Sequence, residues 1–249
     1  MKRKSGFRIL SYNIHQGLTA QRSRLALSSL KNAVREQDAD VVLLQEVAGA
    51  TKKKKDGLGI TSFQLEELAD AIWPYMAYQR NSVFSGGFHG NAILSRFPIR
   101  SWKAIDITQS PLIKRGAIHA EISVPDQIEH LHIIATHLGL LQFERRRQLK
   151  KVCQYLVDCL EPGSSCILGG DFNDWRQIAT GNLYKRLSLQ EVYHSIHKKH
   201  ALTFPAAFPV LRLDRIYFRG LKARSARVLK GQPWVSLSDH LPLIADFVV

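Results

Sequence analysis

Val41-Val42-Leu43-Leu44-Gln45-Glu46 is the stretch that decides how this chain folds. Four apolar residues in succession are hydrophobic on both faces of a strand, the pattern of a strand covered on both sides. The ionisable Glu46 that follows is expensive to bury without a partner, and a bound cation is one such partner. The same grammar recurs twice: Leu131-His132-Ile133-Ile134-Ala135 precedes Thr136-His137, and Cys166-Ile167-Leu168 precedes Gly170-Asp171-Phe172-Asn173. Tyr12-Asn13-Ile14, Leu213-Asp214-Arg215 and Ser238-Asp239-His240 also sit beside short strand-like runs. Adjacent strands lie roughly 4.8 Å apart, so these scattered polar groups converge if the strands pair side by side.

The rest of the chain supports alternating strands and helices. Phe7 to Tyr12 reads as a first strand, and Arg22 to Glu36 as an amphipathic helix with Leu27, Leu30 and Val34 at helical spacing. Phe63 to Trp73 carries Leu65, Leu68, Ala69 and Ile72 on one stripe and stops at Pro74. Strands are expected at Ala92–Ser95, Ala117–Ile122 and His130–Thr136, punctuated by Gly86-Gly87, Pro98 and Pro125. Gln142 to Leu160 is the longest helix, with Leu149, Val152, Cys153, Leu156 and Leu160 inward and Arg145, Arg146, Arg147, Lys150 and Lys151 on the outer face. Leu213–Phe218 and Leu243–Val248 close the pattern as strands, separated by an irregular stretch bearing Trp234. Two strand-rich halves with helices covering their outer faces imply an α/β protein in which two sheets pack together.

At 249 residues the chain is long enough for one large domain, and one domain over residues 1–249 is expected because the polar groups run from Asn13 to His240 without a Pro/Gly/Ser-rich linker between them. The formal net charge of +14 favours a polyanionic partner: nucleic acid, an anionic phospholipid surface or a phosphorylated small molecule. Lys52-Lys53-Lys54-Lys55-Asp56-Gly57 reads as a solvated loop. Met1-Lys2-Arg3-Lys4 is followed by no apolar stretch, so no signal peptide is expected, and no run approaches the roughly 20 apolar residues of a spanning helix. Cys153, Cys159 and Cys166 are odd in number and fall in helix-like or strand-like runs, the usage of reduced core residues in a cytoplasmic protein. A monomer is expected, and no protein partner is legible.

Asn13, Glu46, His137, Asp171-Phe172-Asn173, Asp214 and Ser238-Asp239-His240, in this order over nearly the whole chain, resemble the motifs of the endonuclease/exonuclease/phosphatase superfamily. The resemblance implies a four-layered α/β/β/α sandwich of two packed mixed β-sheets flanked by helices. It also implies a hydrolase that cleaves phosphate esters with Mg2+ or Mn2+. Such chemistry needs a positioned water, a cation to offset charge on phosphate oxygens, and donors for the charge that develops in the transition state.

On that basis Glu46 offers a hard anionic oxygen to the metal and Asn13 a neutral one, although an Asn after a strand also suits an Asx turn. Asp171 orients or deprotonates the water, with Asn173 holding the water or a phosphate oxygen; the alternative for this pair is a turn or helix cap. His240 donates to the scissile phosphate, and Asp214 is the matched carboxylate that keeps it protonated. Asp239 points away from His240 if the segment is extended, and by the resemblance belongs to the metal region. His137 matches a phosphate-contacting or acidic histidine, but Phe88-His89-Gly90-Asn91-Ala92 lacks the carboxylate that pairs with it in secreted deoxyribonucleases. Arg115 and Asn91 are the expected phosphate contacts, Arg115 through its planar fork.

Three functions remain open at this level. The first is a nuclease, supported by the basic excess and the Arg145–Lys151 cluster. The second is a hydrolase of phospholipid head groups or small phosphoesters, for which Phe204-Pro205, Phe208-Pro209 and Trp234 are interface candidates. The third, of a different class, is a catalytically silent nucleic-acid-binding module. His194, His197 and His200 read as a solvated helix end without a carboxylate cluster, and His130 and His132 as solvent-facing strand residues.

Overall fold

A computed structural model of the chain describes residues 6–20, 26–50, 64–69, 72–84, 87–111 and 113–248. The strands in chain order are β1 Phe7–Asn13, β2 Val41–Ala50, β3 Tyr75–Phe84, β4 Gly87–Ser95, β5 Ile99–Asp106, β6 Gly116–Val124, β7 Ile128–His137, β8 Cys166–Asp171, β9 Gln190–Glu191, β10 Asp214–Arg219, β11 Lys222–Val228 and β12 Leu243–Val248. The helices are α1 Leu27–Glu36, α2 Gln64–Ala69, α3 Gln142–Cys159, α4 Ile178–Leu187, α5 Val192–His197 and α6 Trp234–Leu237. Among the described residues these strands form two six-stranded mixed sheets, ordered β11-β12-β1-β2-β4-β3 and β5-β6-β7-β8-β10-β9.

Three apolar layers hold them. Ile9, Val41, Leu43 and Ile93 of the first sheet meet Ile118, Ile133, Ile167 and Ile216 of the second in the central layer. Leu10, Tyr12, Val42 and Leu44, on the opposite face of the same strands, pack under α1, α2 and α6 through Leu30, Leu65 and Trp234. Leu168, Ile134 and Tyr217 do the same for α3 and α4 through Leu149, Val152, Leu156 and Leu183. The doubly apolar strands are therefore central strands covered on both faces, and the architecture is the α/β/β/α sandwich.

Several local expectations change. Helix α1 begins at Leu27 among the described residues, and α2 runs Gln64–Ala69; residues 1–5, the Lys52–Gly57 loop, Phe63 and the Gly86 turn position lie outside them. Trp73 is buried beyond α2, its indole N–H donating to Ala39 O at 2.9 Å. Trp234 stands on a helix, α6, rather than in an irregular loop. It is buried with its ring edge-on to Tyr12 at 5.7 Å, so it cannot enter a membrane interface. Arg145 is buried, not on the outer face of α3, because its guanidinium covers the Trp175 ring at 4.2 Å. His132 is half-buried with Nδ1 3.0 Å from His119 Nε2, while His130 is exposed as expected. A carboxylate does accompany the downstream histidines: buried Glu191 caps α5 through Tyr193 N and His194 N and takes His200 Nδ1 at 3.0 Å. No helix among the described residues is long and apolar enough to cross a membrane.

Candidate active site

The polar strand ends are brought together by register. Asp214 of β10 lies opposite Asp171 of β8, and His137 of β7 is level with Asp171 on its other side. Asn13 of β1 pairs with Gln45 of β2, one residue before Glu46. Two special backbone positions permit this convergence. A bulge between Leu44 and Val47 holds Glu46 at φ 58°, turning its side chain out of the ordinary alternation. Gly170 sits at φ 140°, and a Cβ there would lie 1.9 Å from Thr136 O, so the close approach of β7 and β8 beside Asp171 requires glycine.

Asp171 is the hub. Its Oδ1 accepts Asn173 N–H at 2.9 Å, and its Oδ2 accepts the Asn13 amide at 3.1 Å. The same Oδ2 lies 3.4 Å from His137 Nε2 and 3.8 Å from His240 Nε2. Burial pushes the Asp171 carboxyl up to about 6, against the pull of His240. The Asn13 amide also reaches Glu46 Oε1 at 3.4 Å, while its oxygen accepts His15 N–H at 3.1 Å. The Asn13 amide thus ties Glu46 to Asp171.

His240 Nδ1 is 2.8 Å from Asp214 Oδ2, and both side chains are buried. Burial opposes charging the ring, but Asp214, then Asp171 and Asp239, outweigh it and raise His240 to about 10. The imidazolium donates to Asp214 on one side and faces Asp171 with the other N–H. The oxygens of Asp171 and Asp214 and a His240 nitrogen lie within 4.8 Å of one another. With the ring protonated, this trio acts as a proton-holding group.

His137 behaves in the opposite way. Burial, then Arg115, His89 and His240, hold it well below the ordinary range, so it is neutral. Arg115 Nη1 lies 3.3 Å from His137 Nδ1, and because a guanidinium only donates, Nδ1 is the acceptor and Nε2 carries the proton toward Asp171. Arg115 adds to burial in keeping the ring neutral. Arg115 Nε is buried without a hydrogen-bond partner among the described residues. Asn91 is fully buried, and its amide donates to Gly116 O at 2.8 Å, one residue beyond Arg115. Its Oδ1 is buried without a hydrogen-bond partner among the described residues.

Asn173 is also committed: its amide donates to Leu138 O at 2.9 Å, and its φ of 48° closes the Asx turn onto Asp171. Asp239 lies outside β12, with its side chain 31% exposed and Oδ1 3.6 Å from His15 Nδ1. His15 and His89 belong to the constellation and were not singled out from sequence. His89 is half-buried, and burial lowers it despite the charge of Glu46. The signal for His15 is its place two residues after Asn13; nothing comparable marks His89. The Phe204 ring lies tilted at 53° against the His240 ring, with centroids 4.9 Å apart, and Phe208 is 76% exposed further along that loop.

A buried hub carboxylate, a charged His–Asp pair, a neutral histidine and a half-buried glutamate stand together at the ends of two packed sheets, and the pattern of the Endonuclease/Exonuclease/phosphatase family matches residues 10–240. The chain belongs to that family. It is 40% identical over 243 residues to the uncharacterized protein YbhP of Escherichia coli (strain K12), covering 96% of this chain and 95% of the relative. Its fold is similar to that of an endonuclease/exonuclease/phosphatase from Beutenbergia cavernae DSM 12333, with TM-score 0.80, 17% identity, and coverage of 99% of this chain and 72% of that one. It is also similar to D. rerio TDP2 complexed with single strand DNA product, with TM-score 0.73, 19% identity, and coverage of 99% and 100%.

Proposed function

We propose that the protein is a divalent-metal-dependent phosphodiester hydrolase acting on nucleic acid. The observation that carries this reading is the Asp171 carboxylate, buried and joined at once to Asn13, His137 and His240. A carboxyl near 6 is mostly ionised at neutral pH, and it is basic enough to take a proton. It accepts one proton of the attacking water as the water oxygen bonds to phosphorus. The bond from phosphorus to the leaving oxygen breaks, and that oxygen takes up a proton from solvent. His240, kept cationic by Asp214, donates to a non-bridging oxygen and offsets the negative charge there. Arg115, with its unpartnered Nε, supplies a second donor, and neutral His137 orients Asp171 through Nε2–H.

The donor set on the other flank fits a hard cation. Glu46 is half-buried, its hydrogen bond to Asn13 is long at 3.4 Å, and Asp239 lies partly open beyond His15. Glu46 and Asp239 would hold Mg2+ or Mn2+, with Asn13 fixing Glu46. When bound, the ion supplies neutralising charge and polarises the phosphoryl group.

Nucleic acid is favoured by the net charge of +14 and by exposed Arg146, Arg147, Lys150 and Lys151 on α3, together with the DNA product in the TDP2 structure. A phospholipid head group is the second reading, favoured by exposed Phe208 on the loop that reaches His240 through Phe204. Incubating supercoiled plasmid with the protein and Mg2+ separates them. Nicking that EDTA abolishes is expected; intact plasmid together with phosphoester release from phospholipid would transfer the assignment to the second substrate.

A further inference from the structure

Between α3 and α4, on the outer side of the second sheet, lies a cavity of about 410 Å3. That volume falls within the roughly 300–1,000 Å3 of small-molecule sites. Its floor is aliphatic, built from Leu138, Leu149, Cys153, Ile178 and Ala179. Its rim carries Arg145, Arg146, Lys150 and Arg186. The acid in the lining, Asp174, is already engaged: Oδ2 accepts Ala179 N–H at 2.8 Å and lies 4.0 Å from Arg215. Positive charge therefore dominates the opening.

Arg145 gives the second, independent observation. It is 5% exposed, stacked on Trp175, with Nη1 donating to the carbonyls of Gly139 and Leu140. Its Nη2 is buried with no hydrogen-bond partner among the described residues. An anionic oxygen placed in the cavity would give this donor the partner it lacks. One group of each amide in the lining is committed elsewhere. The Asn182 amide donates to Ile178 O at 3.1 Å, and Gln142 Oε1 accepts from Arg176 at 2.8 Å. The lining contains no aromatic ring on which a base would stack.

We propose that this cavity binds an anionic amphiphile, a single alkyl or acyl chain ending in phosphate or carboxylate. The chain lies over the Leu149, Cys153 and Ala179 floor, and the head meets Arg145, Lys150 and Arg186. Two sources present that chemistry: a free amphiphile and a lipid in an anionic bilayer. Leu141 and Phe143, 53% and 57% exposed, line an adjoining depression with Arg146 and Arg147, a surface that suits the bilayer source. The site uses none of the side chains assigned to the cleavage step, but it shares Arg146 and Lys150 with the basic face of α3 that favours nucleic acid, so competition with an oligonucleotide separates the two readings.

Calorimetric titration with dodecyl phosphate below its micellar concentration tests the site directly. Saturable one-site binding is expected, weakened at least tenfold in the Lys150→Gln/Arg186→Gln double variant. The same loss is expected in Asn182→Trp, which caps the cavity; all three positions are exposed, so the fold is retained. Inorganic phosphate and neutral octyl glucoside should each bind at least tenfold more weakly than dodecyl phosphate. Equal affinity in wild type and both variants, equal affinity for octyl glucoside, or displacement by oligo(dT) would overturn the proposal. Flotation with phosphatidylglycerol but not phosphatidylcholine vesicles assigns the bilayer source, and dodecyl phosphate binding without flotation assigns a free amphiphile. Failure of both ends the proposal.

Discussion

Replacing Asp214 by asparagine removes one charge from the buried pair and leaves its shape. His240 at about 10 instead of the ordinary 6.5 represents about 5 kcal/mol in favour of the charged ring, at roughly 1.4 kcal/mol per tenfold in proton affinity. Asp214 acts on the ring both by its charge and by the 2.8 Å hydrogen bond, whereas Asp171 lies 3.8 Å away. Assigning Asp214 at least half of the effect makes its loss worth about 2–3 kcal/mol. A histidine with a raised folded-state pKa contributes stability that is fully present below 6.5 and disappears as pH rises through about 10. Asp214→Asn should therefore unfold at lower urea concentration than wild type at pH 6, and the gap should shrink toward pH 10. NMR titration of the His240 ring should show its pKa falling by about two units. With the ring losing its proton near pH 8, hydrolysis of bis(p-nitrophenyl) phosphate should drop about twofold at pH 8 and about tenfold at pH 9. A ring that still titrates near 10 in the variant, or turnover unchanged at pH 9, would refute the assignment of Asp214 as the group that keeps His240 charged.

Further outcomes follow from other positions. Gly170→Ala forces a Cβ to within 1.9 Å of Thr136 O at a φ of 140°, and should destabilise by about 3–5 kcal/mol in urea melts; a loss under about 1 kcal/mol contradicts the close approach of β7 and β8. Burial, then His132, lowers His119 to about 4, so the stability this neutral ring confers is present above 6.5 and is lost as pH falls through 4. His119→Gln should flatten the fall in urea midpoint between pH 7 and pH 4, by up to about 3 kcal/mol; an unchanged slope rules the histidine out. Arg115→Met should raise the His137 pKa, read by NMR, and weaken substrate binding in KM. A His137 that titrates as before would show that Arg115 does not hold it neutral.

Much of this arrangement was legible in the sequence because it depends on local patterns. Val41–Leu44 and Cys166–Leu168 are apolar on both faces because sheets and helices cover both, and the α3 stripe of Leu149, Val152, Cys153 and Leu156 faces inward as its spacing implies. Asp214 and His240 were paired by resemblance and meet at 2.8 Å. What escaped depends on partners distant in sequence. The edge strand β11 carries charges on its exposed positions and a bulge between Ala223 and Ser225, which breaks the period that would have revealed it. Arg145 looked solvated because its burial is made by Trp175, thirty residues on. His89 joins the site only through the pairing of β2 with β4, which places it level with Ala48, two residues from Glu46. Asn13 and Asn173 matched by type, yet their hydrogen bonds, to Glu46, Asp171 and Leu138, follow from tertiary geometry that spacing does not encode.

The central claim, that Asp171 is the base of a metal-dependent phosphodiesterase, is tested most directly by Asp171→Asn. Plasmid nicking and bis(p-nitrophenyl) phosphate turnover would be measured in Mg2+ alongside calorimetric Mg2+ binding and the thermal melt. The account predicts a folded variant that still binds Mg2+ but turns over at least 10³-fold more slowly. A folded, metal-binding variant with near wild-type turnover would contradict it.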